Sequence, residues 1–188
     1  MSPCSKTTGP VLATSVAGDA ANSIRKFLVY LFPEGVEIIY AQENNVPVPA
    51  GDYILINVVG NSKKSSNRRT YGADGSVSLW TPYEASVQLD FFGDGGGDRF
   101  ALFSALWFDD FAFDWFAQND TVCRPLYCND GIQTPFLNES DNFEQRWMAN
   151  AFLQVNQTIV LEQPIAINPG KVAFVEVDTG LKNPTTGD

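Results

Sequence analysis

From Glu84 to Gly93 the chain reads EASVQLDFFG, and this segment restricts the fold more than any other. Ala85, Val87, Leu89 and Phe91 alternate with Ser86, Gln88 and Asp90. Strand side chains point to opposite faces in turn, so a period of two specifies a strand with one face in a core. Tyr53–Val59 (YILINVV) is apolar at almost every position, as expected of a central strand or one covered on both faces. Val36–Gln42 is rich in β-branched residues and predicts a further strand. Phe143–Leu161 admits two readings, because its first half also suits a helix. Trp147, Ala149, Ala151, Leu153 and Val155 alternate with more polar neighbours, which favours one long strand.

Helical spacing appears twice. Ala20, Ile24, Phe27, Leu28 and Leu31 predict a helix over Asp19–Phe32, capped by Asp19, Asn22 or Ser23 and stopped by Pro33 and Gly35. Gly93–Gly97 reads as a flexible turn. Asp98 is placed to cap a second helix that runs to about Phe108 and resumes through Asp110–Gln118, with Phe100, Phe103, Leu106 and Trp107 as its apolar stripe. Asn44–Gly51 reads as an irregular link and Gly60–Gly75 as the tip of a long hairpin. Ser76–Trp80 and Glu84–Phe92 return the chain to the sheet. Beyond them come a short strand at Thr121–Tyr127, a loop at Cys128–Ser140 and a last strand at Lys171–Val177. The periodic middle, residues 16–161, is the expected core domain. Residues 1–15 form a Ser-, Thr-, Pro- and Gly-rich N-terminal arm, and residues 162–188 a C-terminal strand and tail.

The 188 residues suit a single domain, and 44% hydrophobic with 13% aromatic residues is enough for a core. A net charge of −10 argues against a surface that grips phosphates, since that affinity comes from Lys and Arg. The odd count of Cys4, Cys123 and Cys128 does not look like a disulfide framework; Cys123 and Cys128 could pair across a turn, but free thiols are expected. No apolar run approaches the ~18 residues that span a bilayer, and MSPCSKTTGP lacks the pattern of a signal peptide. Synthesis in a cytosol is expected.

Catalytic signatures are missing. The chain has no histidine, so triads, imidazole bases and His metal ligands are excluded. GDGGGD at 93–98 is neither a dinucleotide fingerprint nor a phosphate loop. Asp90, Asp94 and Asp98, with Asp109, Asp110, Asp114 and Asp120 beyond them, raise two alternatives: a carboxylate-dependent hydrolase, or a calcium- or carbohydrate-binding virion module. A solvated acidic face explains them more simply. Lys63, Lys64, Arg68 and Arg69 form the one concentrated basic patch, expected on a protruding loop. Phe108, Phe111, Phe113, Trp115 and Phe116 are too many for one helix face, which makes them a candidate subunit interface. No cofactor is called for.

Three segments carry a resemblance. Gln42–Val59, with Pro47, Pro49 and Tyr53, resembles the "Q-N-x-P-x-P-x-x-Y-h-x-h" segment of phage neck-terminator proteins. Val87–Gly93 resembles that family's strand ending in an aromatic–glycine pair before its second helix. Glu144–Arg146 (EQR) resembles the segment that opens its last core strand. With the helix before Pro33, the resemblance spans roughly residues 18–160, and the N-terminal arm and the stretch after Leu161 depart from it. It implies an α+β subunit, a mainly antiparallel β-sheet with two helices packed on one face and extended terminal arms. It further implies a homo-oligomeric ring, commonly a hexamer, in the neck or tail of the virion, assembled in the host cytoplasm. Such a ring joins the head connector to tail tube, sheath or gateway proteins. Double-stranded DNA passes through it without sequence-specific binding, and no membrane is involved. The family offers no catalytic residues to carry over.

Overall fold

The computed structural model describes residues 11–12, 14–42, 47, 49, 51–72, 76–137 and 143–162. Cys4, the strand expected at Lys171–Val177 and the tail beyond it lie outside the described residues. The architecture is α+β: a mainly antiparallel sheet with a layer of helices on one face.

Two strands of 17 residues each form the spine, β5 (Ser76–Phe92) and β10 (Arg146–Glu162). They pair antiparallel along their whole length, from Arg146 opposite Phe92 to Glu162 opposite Ser76. At ~3.3 Å per residue this ladder is about 55 Å long. On its other side β5 pairs first with β3 (Tyr53–Lys63) and then with β4 (Arg68–Tyr71). The outer edge of β3 carries β2 (Glu37–Tyr40), the one parallel neighbour. The outer edge of β10 carries three short strands: β7 (Ile132–Gln133), β6 (Cys123–Cys128) and β1 (Val11–Leu12). A separate hairpin joins β8 (Phe136–Leu137) to β9 (Phe143–Glu144).

Two readings of the sequence are corrected on β5. Ser76–Trp80 and Glu84–Phe92 are one strand, running through Pro82. The backbone N–H of Lys64 donates to the Pro82 carbonyl at 3.0 Å, between the end of β3 and the start of β4. A residue's N–H and C=O point to the same side in an antiparallel strand, so the donor that proline lacks falls where the ladder is already interrupted. The segment Gly60–Gly75 is likewise less of a loop than expected. Its first residues finish β3, Arg68–Tyr71 form β4, and Gly72 N–H donates to the Ser76 carbonyl at 2.8 Å. The loop expected at Cys128–Ser140 contains β7 and β8.

The helices are α1 (Val16–Leu31), α2 (Gly96–Trp107) and α3 (Asp110–Asn119). Helix α1 starts a turn earlier than its apolar pattern predicts, because Ser15 is its cap: its hydroxyl accepts from Gly18 N–H and the Asp19 carboxylate accepts from Ser15 N–H. Asn22 instead accepts from the Tyr40 hydroxyl, and Ser23 donates to the Asp120 carboxylate. Asp98 is not a cap either. Gly95 holds that position without a side-chain bond, and Asp98 lies in the first turn, where its negative charge complements the positive end of the helix dipole. The second helical segment divides at Asp109, whose carboxylate accepts from Phe111 N–H at 2.9 Å and starts α3 afresh.

The core lies between this helix layer and one sheet face. The sheet contributes Ile54, Ile56, Ala85, Val87, Leu89, Phe91, Ala151, Leu153 and Val155, the alternate positions that the sequence marks. Phe27 of α1 sits at the centre, its ring 5.2–6.5 Å from those of Phe103, Trp107, Trp115 and Phe116.

Candidate assembly surfaces

The three segments that carry the family resemblance come together at one end of the sheet. Tyr53 opens β3 directly opposite Phe92, and Phe92 stands opposite Arg146 on the far side of β5. The Tyr53 and Phe92 rings stack 4.3 Å apart, and the Arg146 guanidinium lies 5.4 Å from the Phe92 centroid. By strand parity these side chains face away from the helices. Arg146 also pairs with Asp90 at 3.0 Å, and Gln88 donates to both oxygens of the same carboxylate at 3.0 and 3.2 Å. Burial pushes the Tyr53 hydroxyl above its ordinary pKa; Glu144 and Asp90 add to this and Arg146 opposes it. Next along the chain, Gly93 takes φ +93° and donates its N–H to the Gln145 carbonyl at 3.1 Å. A Cβ there would lie 1.7 Å from Asp52 Oδ1, in the carboxylate that pairs with Arg99 of α2. The aromatic–glycine pair therefore fixes how the chain leaves the sheet and enters the helix.

This geometry bears on the alternatives raised by the acids. The Asp90 carboxylate is occupied by Arg146 and Gln88. Among the described residues no group of three or more Asp, Glu, Cys or His is placed to hold a metal ion.

The aromatic run divides into two classes. Phe116 is fully buried in its own subunit, with Ala112 beside it, and Trp115 is half-buried against the core. Phe108, Phe111 and Phe113 are exposed, at 62%, 38% and 53%. Tyr30, at the solvent side of α1, stacks on Phe111 with centroids 6.0 Å apart and lies 5.9 Å from Trp115. Val29 beside it is also exposed. Tyr30 and Val29 were not legible as site residues, because their only signal is that they are apolar residues off the buried stripe of α1. Asp110, Phe113 and Asp114 fall at i, i+3 and i+4, so they share one exposed face of α3.

Lys63, Lys64, Arg68 and Arg69 all lie in the exposed stretch formed by residues 59–72. They sit on the strands β3 and β4 or between them, beyond the part of β5 that the helices cover. Lys63 donates to Asn67 at 2.6 Å, and Lys64 pairs with Glu84 at 2.8 Å. Arg68 and Arg69 have no ion pair among the described residues.

Cys123 and Cys128 are free and buried. They begin and end β6, about 16 Å apart at strand spacing, too far to bridge. Burial pushes the Cys123 thiol up to about 12; the Ser23 hydrogen bond and Arg124 oppose the rise, and Asp120 and Asp19 add to it. No described helix is long and apolar enough to cross a membrane.

A family model described as phage neck terminator protein matches residues 21–184. The match continues well past Leu161, so the stretch that looked like a departure lies within the family's pattern. No curated protein matches the chain.

Proposed function

The chain belongs to the phage neck terminator family, and we propose that copies of it close a ring around the DNA path between the head connector and the tail. It is a structural protein of the virion neck, a place it shares with other head–tail proteins. The observation that carries the ring reading is that Tyr30, Phe108, Phe111 and Phe113 all leave their rings exposed, Tyr30 stacked on Phe111. The core beneath it is already filled by Phe27, Phe103, Trp107 and Phe116, so these rings are surplus to the fold. Exposed aromatic rings beyond what the core needs are enriched at protein–protein contacts.

The ring is a hexamer that meets the connector on one side and tube, sheath or gateway proteins on the other. Its net charge of −10 suits a conduit, since genome slides past a surface that does not gather phosphates. Assembly takes place in the host cytoplasm. No reaction is assigned to the chain: among the described residues the one buried carboxylate, Asp90, is held by an arginine.

Native mass spectrometry tests this reading. The expected species is six copies of the 20.6 kDa chain, formed alone or on addition of purified connector and tail-tube proteins. A chain that stays at 20.6 kDa under both conditions overturns it.

A further inference from the structure

The exposed face of α3 and the basic strands lie on different parts of one chain, yet each has what the other lacks. We propose that in the ring the distal ribbon of one copy, through Lys63, Arg69 and Tyr71, seats on the α3 face of the next copy, through Asp110, Phe113 and Asp114. This rests on the ring reading above and names the two halves of its interface.

The strand register selects the residues. Lys63 stands opposite Tyr83, Arg69 opposite Leu79 and Tyr71 opposite Val77. Those partners have the parity of Val87, Leu89 and Phe91, so Lys63, Arg69 and Tyr71 point to the side on which the helices lie. The helices of their own chain do not cover them, and all three are exposed. The ribbon thus holds out one tyrosine and two cations from the end of β3 and from β4, both paired to β5. On α3 the pattern is reversed in charge: Phe113 is flanked by Asp110 and Asp114, all exposed and on one face.

Charge completes the match. Arg69, Asp110 and Asp114 have no ion pair among the described residues, although Lys64, Arg99 and Arg146 do. Packing Tyr71 against Phe113 places Arg69 near both carboxylates and within reach of the Phe113 ring. Shielding by the rings strengthens each charge pair compared with one in open water. The contact joins two different surfaces, so it is heterologous: it repeats head to tail and closes when the rotation per copy divides the circle. A duplex is the competing occupant of the cations. It would leave the carboxylates and Phe113 without a partner, and its affinity would work against a charge of −10.

Disulfide trapping in the full-length chain decides the matter. Cys4→Ser removes the thiol near the N-terminus, and Cys123 and Cys128 are buried. With Arg69→Cys and Asp110→Cys on one chain, oxidation should give a reducible ladder extending beyond dimers. Either cysteine alone should give no more than dimers. As a second reading, Lys63→Glu with Arg69→Glu should weaken assembly by at least ~10-fold, and so should Asp110→Arg with Asp114→Arg. The two sets combined should recover most of the loss. If the wild-type chain forms a ring and the paired cysteines give no ladder, this contact is wrong and the ring reading survives. If neither ring nor ladder forms, both fall. If reversal of Lys63 and Arg69 abolishes a salt-dependent gel shift with duplex DNA but leaves ladder and mass unchanged, the ribbon serves DNA and the proposal is overturned.

Discussion

The Arg146 guanidinium lies 3.0 Å from the Asp90 carboxylate, which is 1% exposed, on the sheet face that the helices do not cover. Removing one partner of such a pair strands the other charge. Arg146→Ala should therefore cost roughly 2–4 kcal/mol, somewhat below the range for fully enclosed pairs because Arg146 keeps some solvent contact. Asp90→Asn combined with Arg146→Met should cost less than Arg146→Ala alone. Urea midpoints of the three variants check this, and a double variant that is the least stable of the set would contradict it.

Phe113 and Phe116 are three positions apart and should behave oppositely. Phe116 is fully buried among Phe27, Trp107 and Trp115, so Phe116→Ala should cost about 3–5 kcal/mol. Phe113→Ala should change chain stability by no more than about 0.5 kcal/mol. Its effect should appear instead in the oligomer's dissociation constant, measured by analytical ultracentrifugation. A Phe113→Ala chain that melts much earlier and assembles normally would show the ring to be part of the fold.

Gly93 and Gly35 both hold positive φ, +93° and +76°, but only one is crowded. Gly35→Ala should cost about 1 kcal/mol, the backbone term alone. Gly93→Ala must in addition displace the Asp52 carboxylate and break its pair with Arg99, and should cost at least ~2 kcal/mol more. Thermal melts of the two variants side by side test this difference.

Cys123 makes stability depend on pH at the alkaline end. Burial raises its folded pKa to about 12 from the ordinary 9.0, so between these limits the unfolded chain releases a proton that the folded chain keeps. The contribution is fully present below pH 9 and is lost as pH rises toward 12. The slope approaches ~1.4 kcal/mol per pH unit within that window. Cys123→Ala should lower stability at pH 7 and flatten this slope. An unchanged slope would assign the alkaline loss to other groups.

The sheet was readable because burial leaves a period of two in the letters, and Ala85 to Phe91 and Ala149 to Val155 keep that period without a break. Helix α1 was readable for the same reason at its own period. Its start was missed because Ser15 acts through a hydrogen bond that leaves no mark in the apolar pattern. The expected gap between Trp80 and Glu84 holds Pro82, and whether a strand tolerates proline depends on the neighbouring strand, here the break between β3 and β4. The aromatic run looked like one surface. A single residue, Asp109, restarts the helix and turns Phe116 inward and Phe113 outward. Tyr30 joined that surface only through the packing of α1 on α3, which no local pattern records.

The ladder of β5 and β10 also orders events in time. Its strands are joined through the helices and the short edge strands, so the Phe92–Arg146 end closes the shorter loop and the Ser76–Glu162 end the longer. Pairing is therefore cheapest to begin beside the helices and zips outward. Arg69 and Tyr71 lie close in sequence to their partners on β5, but β10 reaches that part of β5 last. A nascent chain would complete its core before it offers a finished ribbon to another copy. That delay would protect newly made neck subunits from joining while half-folded.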